Sequence, residues 1–124
     1  MPDCPVTISV QTRYLAEQSR PAKAQYAFAY HITIHNQGED TVTLLTRHWI
    51  ITDSDGKRQE VKGEGVVGQK PTLAPGESFD YSSGASLKTP VGTMEGSYGM
   101  VTENGTPFSA PIPPFLLAVP GSIN

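Results

Sequence analysis

Tyr26-Ala27-Phe28-Ala29-Tyr30-His31-Ile32-Thr33-Ile34-His35 places a large apolar side chain at every second position. Tyr26, Phe28, Tyr30, Ile32 and Ile34 share one face, while Ala27, Ala29, His31, Thr33 and His35 share the other. A period of two is that of a strand covered on one side, so this stretch commits the chain to β structure. Upstream, Val6, Ile8 and Val10 alternate with Thr7, Ser9 and Gln11 in a run that reaches Tyr14, a second strand. Residues 15–23 between them are polar and contain Pro21, which reads as a loop with room for a short helical turn. Downstream, Asn36-Gln37-Gly38-Glu39-Asp40 reads as a hairpin turn in which Gly38 supplies a positive φ. It leads into a strand over 42–53, with Trp49 and Ile51 on one face and His48 and Ile50 on the other.

The same grammar continues to the C-terminus. Asp53-Ser54-Asp55-Gly56, Leu73-Ala74-Pro75-Gly76-Glu77 and Asn104-Gly105 are turns by the chemistry of Asp, Pro-Gly and Asn-Gly. Between them lie strands over 58–62, over 78–83 with Phe79 and Tyr81 inward, and over 93–102 with Met94, Gly96, Tyr98 and Met100 at alternate positions. Gly96 and Gly99 predict a bulge or a close backbone approach. Residues 108–112 and 115–119 read as two closing strands, and Pro111, Pro113 and Pro114 confine them to an edge or a strand junction. About seven to nine short strands with no βαβ alternation predict an all-β, two-sheet antiparallel sandwich. The 124 residues form one domain, with 1–5 as a flexible N-terminus.

Composition excludes several function classes. A net charge of −3 without any Lys/Arg run argues against a nucleic-acid surface. No apolar run approaches the ~20 residues that span a bilayer, and the N-terminus has no secretion signal. The lone Cys4 cannot form an intramolecular disulfide, which fits a reducing cytoplasm.

Gly63-Glu64-Gly65-Val66-Val67-Gly68 spells GxGxxG, the phosphate-binding turn of dinucleotide enzymes. That turn works at a helix N-terminus, and Gln69-Lys70-Pro71 prevents a helix here. A phosphate could be held only by a nest of loop amides assisted by Lys62 or Lys70. The default reading is a structural bulged turn. His31 and His35 share a strand face with Cα atoms about 13 Å apart, too far to clasp one metal. His31 with His48 across a neighbouring strand, or His35 with Glu39 or Asp40, would make weak metal sites without zinc or iron spacing. Asp53, Asp55 and Gly56 open like a calcium loop but lack its closing acid. Ser82-Ser83-Gly84 offers hydroxyls with no placed His and acid, and Cys4 has no positioned base, so no catalytic residue is assigned. Arg47 beside Trp49 is a candidate recognition pair, although a lone Trp more often anchors a core.

Taken together, Thr46-Arg47-His48-Trp49-Ile50-Ile51-Thr52-Asp53, then Val61-Lys62-Gly63-Glu64-Gly65-Val66-Val67-Gly68-Gln69-Lys70-Pro71, then Pro75-Gly76-Glu77-Ser78-Phe79-Asp80-Tyr81-Ser82-Ser83-Gly84 resemble the bacterial ApaG family. Gly92-Thr93-Met94-Glu95-Gly96-Ser97-Tyr98 and residues 108–117 extend the resemblance over nearly the whole chain. One departure is Lys70, where the family pattern expects a neutral polar residue. The resemblance implies a fibronectin type III-like sandwich. It also implies use as an interaction module in larger proteins and a link to cobalt and magnesium tolerance or efflux. The expectation is therefore a non-enzymatic, cofactor-free protein-binding module. Its contact site would include Arg47, Trp49, Gly63, Glu64, Gly65, Gly68 and Lys70. The alternatives are nucleotide or polyphosphate binding at residues 63–68, and divalent-metal sensing through His31, His35 or His48.

Overall fold

A computed structural model describes residues 4–122. The alternating stretch around Tyr30 becomes strand β2 (Tyr26–Asn36), flanked by β1 (Val6–Tyr14) and β6 (Ser78–Leu87) in a three-stranded antiparallel sheet. The second sheet runs in the order β4 (Arg58–Glu64), β3 (Val42–Asp53), β7 (Val91–Thr102), β8 (Pro107–Ala118), with the short β5 (Thr72–Leu73) also paired to β3. The inward faces of both sheets supply one core. Phe28, Ile32 and Ile34 of β2 meet Leu44 and Trp49 of β3, Met94, Tyr98 and Met100 of β7, and Ile112 and Leu117 of β8. This is the two-sheet antiparallel sandwich that the alternation and turns predict. Residues 15–23 contain two single-turn 3-10 segments, Ala16–Gln18 and Pro21–Lys23.

Several expectations change. β2 and β3 do not form a hairpin: β2 pairs with β1 and β6, and the chain crosses to the other sheet after Asn36. Asn36 explains the crossover. Its side chain is fully buried, donates to the carbonyls of Asp40 (2.8 Å) and Leu73 (3.0 Å), and accepts from the Gly38 amide (3.0 Å). These bonds consume donors and acceptor that a tight turn would leave to solvent, and they fix the corner between the sheets. Gly38 does not adopt a positive φ. It is needed for space, since a Cβ there would stand 2.6 Å from the Pro5 ring. Pro5 in turn accepts a hydrogen bond from the Gln37 amide at 2.7 Å, and Cys4 packs partly buried against the core. Of the N-terminus expected to be flexible over 1–5, Cys4 and Pro5 make these contacts, and residues 1–3 lie outside the described residues.

The two closing strands are one, β8. It survives its prolines because it lies at a sheet edge, where the missing N–H costs nothing on the solvent side. Pro113 and Pro114 fall where the register against β7 shifts between Met94 and Gly96. Gly96 is the expected close approach, because a Cβ would overlap the His48 carbonyl of β3.

One polar contact bridges the sheets through the core. The hydroxyls of Tyr81 on β6 and Tyr98 on β7 lie 2.5 Å apart. Burial raises both tyrosine pKa values, Tyr81 to about 12 and Tyr98 further. Each folded value lies above the unfolded value of about 10, so the neutral pair stabilises the fold fully below pH ~10 and that contribution is lost as pH rises through about 12. Urea unfolding on either side of pH ~10 should show this loss in the wild type and not in the Tyr81→Phe/Tyr98→Phe double variant. Either single Phe strands a buried hydroxyl and should cost about 1–2 kcal/mol near neutrality, with the double variant costing less than their sum. Additive single effects would contradict the shared bond.

Candidate functional site

The glycine-rich segment emerges as a braced two-residue hairpin. Beyond β4, the Gly65 amide donates to the Leu45 carbonyl at 2.8 Å, and Val66 is wholly buried in the core. Val66 and Gln69 exchange both backbone hydrogen bonds, at 2.8 and 2.9 Å. The two residues between them, Val67 and Gly68, have φ of 42° and 79°. Positive φ at both central positions is the pattern of a type I′ hairpin turn, usually Asn-Gly or Gly-Gly. Here a β-branched valine occupies the first position, where its side chain disfavours that backbone. Val67 is nevertheless held there, 53% exposed.

The bracing accounts for the glycines. Arg47, on β3, crosses the β4 backbone at its register partner Gly63, where a Cβ would lie 2.7 Å from the guanidinium carbon. The guanidinium then donates to the carbonyls of Glu64 (2.9 Å) and Gly65 (3.0 Å). Gly65 itself has φ of +62° and no room for a Cβ beside the Gln69 carbonyl. Lys70 pairs with Glu64 at 2.7 Å. The hydrogen bond and charge of Lys70 hold the Glu64 carboxyl below the usual carboxylate range.

The structure thus brings Arg47, Gly63, Glu64, Gly65, Gly68 and Lys70 together, and it removes Trp49 from the surface. Trp49 is 3% exposed and packs edge-on against Tyr98 and Phe115, with Tyr30 at a ring-centroid distance of 5.5 Å. It is a core anchor because inward positions on β3 face the three-stranded sheet. The amides of Gly65, Val66 and Gln69 are spent within the hairpin and on β3. A phosphate nest would need such amides free and convergent. Arg47 and Lys70 likewise already have oxygen partners.

The three histidines do not assemble. His31 and His35 lie on the outer face of the three-stranded sheet and His48 on the other sheet, so His31 and His48 are not neighbours across a strand pair. His35 bonds the Ser78 hydroxyl (2.7 Å), and His48 bonds Glu60 (2.5 Å). The His48 hydrogen bond, with Lys62 nearby, lowers the Glu60 pKa. Among the described residues no group of three or more His, Cys, Asp or Glu could hold a metal ion. The Asp53 turn is a plain hairpin: its carboxylate accepts from the amides of Asp55 and Lys57.

Ser82 does have a placed histidine and acid, contrary to the sequence reading. His31 contacts the Ser82 hydroxyl through Nδ1 (2.7 Å) and the Asp80 carboxylate through Nε2 (2.9 Å). Strand pairing creates this row, because His31 lies opposite Ser82 and diagonal to Asp80. The order resembles an acyl-transfer triad, but the amides between β2 and β6 belong to the ladder and do not form an oxyanion site. The feature that sequence reading missed is the positive φ of the exposed Val67. Its signal was the Gly68 that follows it, which marks a two-residue turn within the GxGxxG string.

Comparison with known proteins gives a consistent outcome. The ApaG domain family model matches residues 16–102. The Protein ApaG of Thiobacillus denitrificans is 61% identical, covering 93% of this chain and 91% of that protein. The Protein ApaG of Pseudomonas syringae pv. tomato is 58% identical over 96% and 94% of the two chains. A crystal structure of a Bordetella pertussis protein superposes with a TM-score of 0.91 at 55% identity, covering 94% of this chain and 95% of that one.

Proposed function

Because the chain belongs to the ApaG domain family, we propose that it is a non-enzymatic protein-interaction module whose contact point is the hairpin carrying Val67. The observation that carries this reading is an exposed, β-branched residue held at positive φ by a buried neighbour and an arginine brace. Backbone strain of this kind costs ~1–3 kcal/mol and persists where the surroundings over-determine it, commonly at sites of recognition. Rigidity also lowers the entropy lost on binding. Exposed apolar area favours the same place. Among the described residues the exposed large hydrophobics are Leu45, Val61, Val67 and Leu116, and the first three lie on β3, β4 and this hairpin. Edge strand β4, exposed at nearly every position, would extend the contact.

In this reading Arg47, Glu64 and Lys70 shape the hairpin rather than meet the partner by charge alone. Any association with cobalt or magnesium tolerance would act through the partner. The lone Cys4 favours a reducing cytoplasm as its compartment. No helix among the described residues is long and apolar enough to cross a membrane.

Immobilised wild-type protein should retain a discrete partner from bacterial lysate. Val67→Asp should lose it while keeping its circular dichroism and an unfolding midpoint no lower than wild type, since aspartate before glycine suits the turn conformation. Equal recovery by both proteins would remove the hairpin as the contact.

A further inference from the structure

A second feature lies away from the hairpin. At one end of the sandwich, a cavity of about 630 Å³ opens between the two sheets. Its volume falls within the ~300–1,000 Å³ of small-molecule sites. Four cations line it: Lys23 from the second 3-10 turn, Lys57 from the β3–β4 connection, Arg58 at the start of β4, and Lys88 just beyond β6. They are four of the nine Lys and Arg residues of a chain whose net charge is −3. Asp53 is the carboxylate in the lining, and its Oδ1 already accepts two turn amides, at 2.9 and 3.0 Å. None of the four cations belongs to an ion pair among the described residues, where the ion pairs are His31–Asp80, His48–Glu60 and Lys70–Glu64. Ile51 and the buried Leu87 supply an apolar floor.

Gathering like charges around a concavity is unfavourable in the empty protein and becomes favourable when an anion neutralises them. A phosphate monoester carries close to two negative charges and three acceptor oxygens, matching a rim of three ammonium groups and a guanidinium better than a carboxylate does. The apolar floor adds a place for the organic part of the molecule. We propose that this cavity binds a small organic phosphate ester, with its phosphate on Lys23, Lys57, Arg58 and Lys88 and its apolar portion on Ile51 and Leu87. The site is independent of the Val67 hairpin and uses none of its residues.

The test is amide chemical-shift titration of the full chain with 1-naphthyl phosphate, inorganic phosphate and 1-naphthol, alongside a short single-stranded oligonucleotide. The naphthyl ester should shift Gln25, Lys57, Arg58 and Leu87 at millimolar or lower concentration and bind more tightly than inorganic phosphate, and added salt should weaken it. Naphthol alone should leave the cavity unshifted. Lys57→Glu/Arg58→Glu should weaken the ester about tenfold or more while shifts elsewhere stay in place, and Lys57→Gln/Arg58→Gln should weaken it less. Absence of shifts at the cavity, shifts at Gly65 to Lys70 instead, or tighter binding of the oligonucleotide over a wider surface would each overturn the proposal. Failure here would leave the hairpin reading untouched, because partner capture is scored on different residues.

Discussion

Asn36→Leu is expected to destabilise the fold by about 3 kcal/mol or more, enough to leave a typical small domain largely unfolded under mild denaturant. The substitution keeps side-chain volume but abandons the Asp40 and Leu73 carbonyls and the Gly38 amide at the point where the chain changes sheets. Three backbone groups lose their partner at once, each at about 1–3 kcal/mol where water cannot replace it. Asn36→Asp should be nearly as harmful at neutral pH, since a carboxylate offers no donor to the two carbonyls. It should partly recover on acidification, when the protonated acid can donate to one of them. Urea unfolding of both variants across pH checks this. A loss below about 1 kcal/mol for the leucine variant would show that the crossover is held by something else.

Trp49→Ala should cost about 3–5 kcal/mol, the range for emptying a large aromatic site in a packed core. Its ring lies 5.5 Å from Tyr30 and 5.9 Å from Phe115 by centroids, bridging both sheets. Trp49→Phe should retain most of the stability and all of the partner capture. Selective loss of capture in a stable Trp49→Phe protein would return Trp49 to the contact surface and contradict its role as a core anchor.

Local chemistry was legible where it acts locally. The alternation from Tyr26 to His35 identified β2, and Asn104-Gly105 identified the β7–β8 hairpin, with Gly105 at φ of +88°. The partner of each strand was less so. Asn36 looks like a turn residue in sequence, and its burial depends on Leu73, thirty-seven positions away. Prolines at 113 and 114 suggested a break in β8, because neither its edge position nor its shifted register against β7 is written in its own residues. At the hairpin, the string 63–68 was visible, but the meaning of each glycine was not. Gly63 clears a path for Arg47, Gly65 and Gly68 take positive φ, and Val67 takes one that its type disfavours. The cationic cavity left only the adjacent pair Lys57-Arg58 as a trace, since Lys23 and Lys88 join it through the fold.

The hairpin account rests on one trade, that Val67 gives up stability to present an apolar contact. Val67→Asn separates the two quantities, because Asn-Gly is the preferred type I′ pair and asparagine accepts the left-handed conformation. Measured on one preparation, the variant should gain about 1 kcal/mol in urea unfolding and lose partner capture from lysate. A variant no more stable than wild type that still captures the partner would contradict both halves of the account.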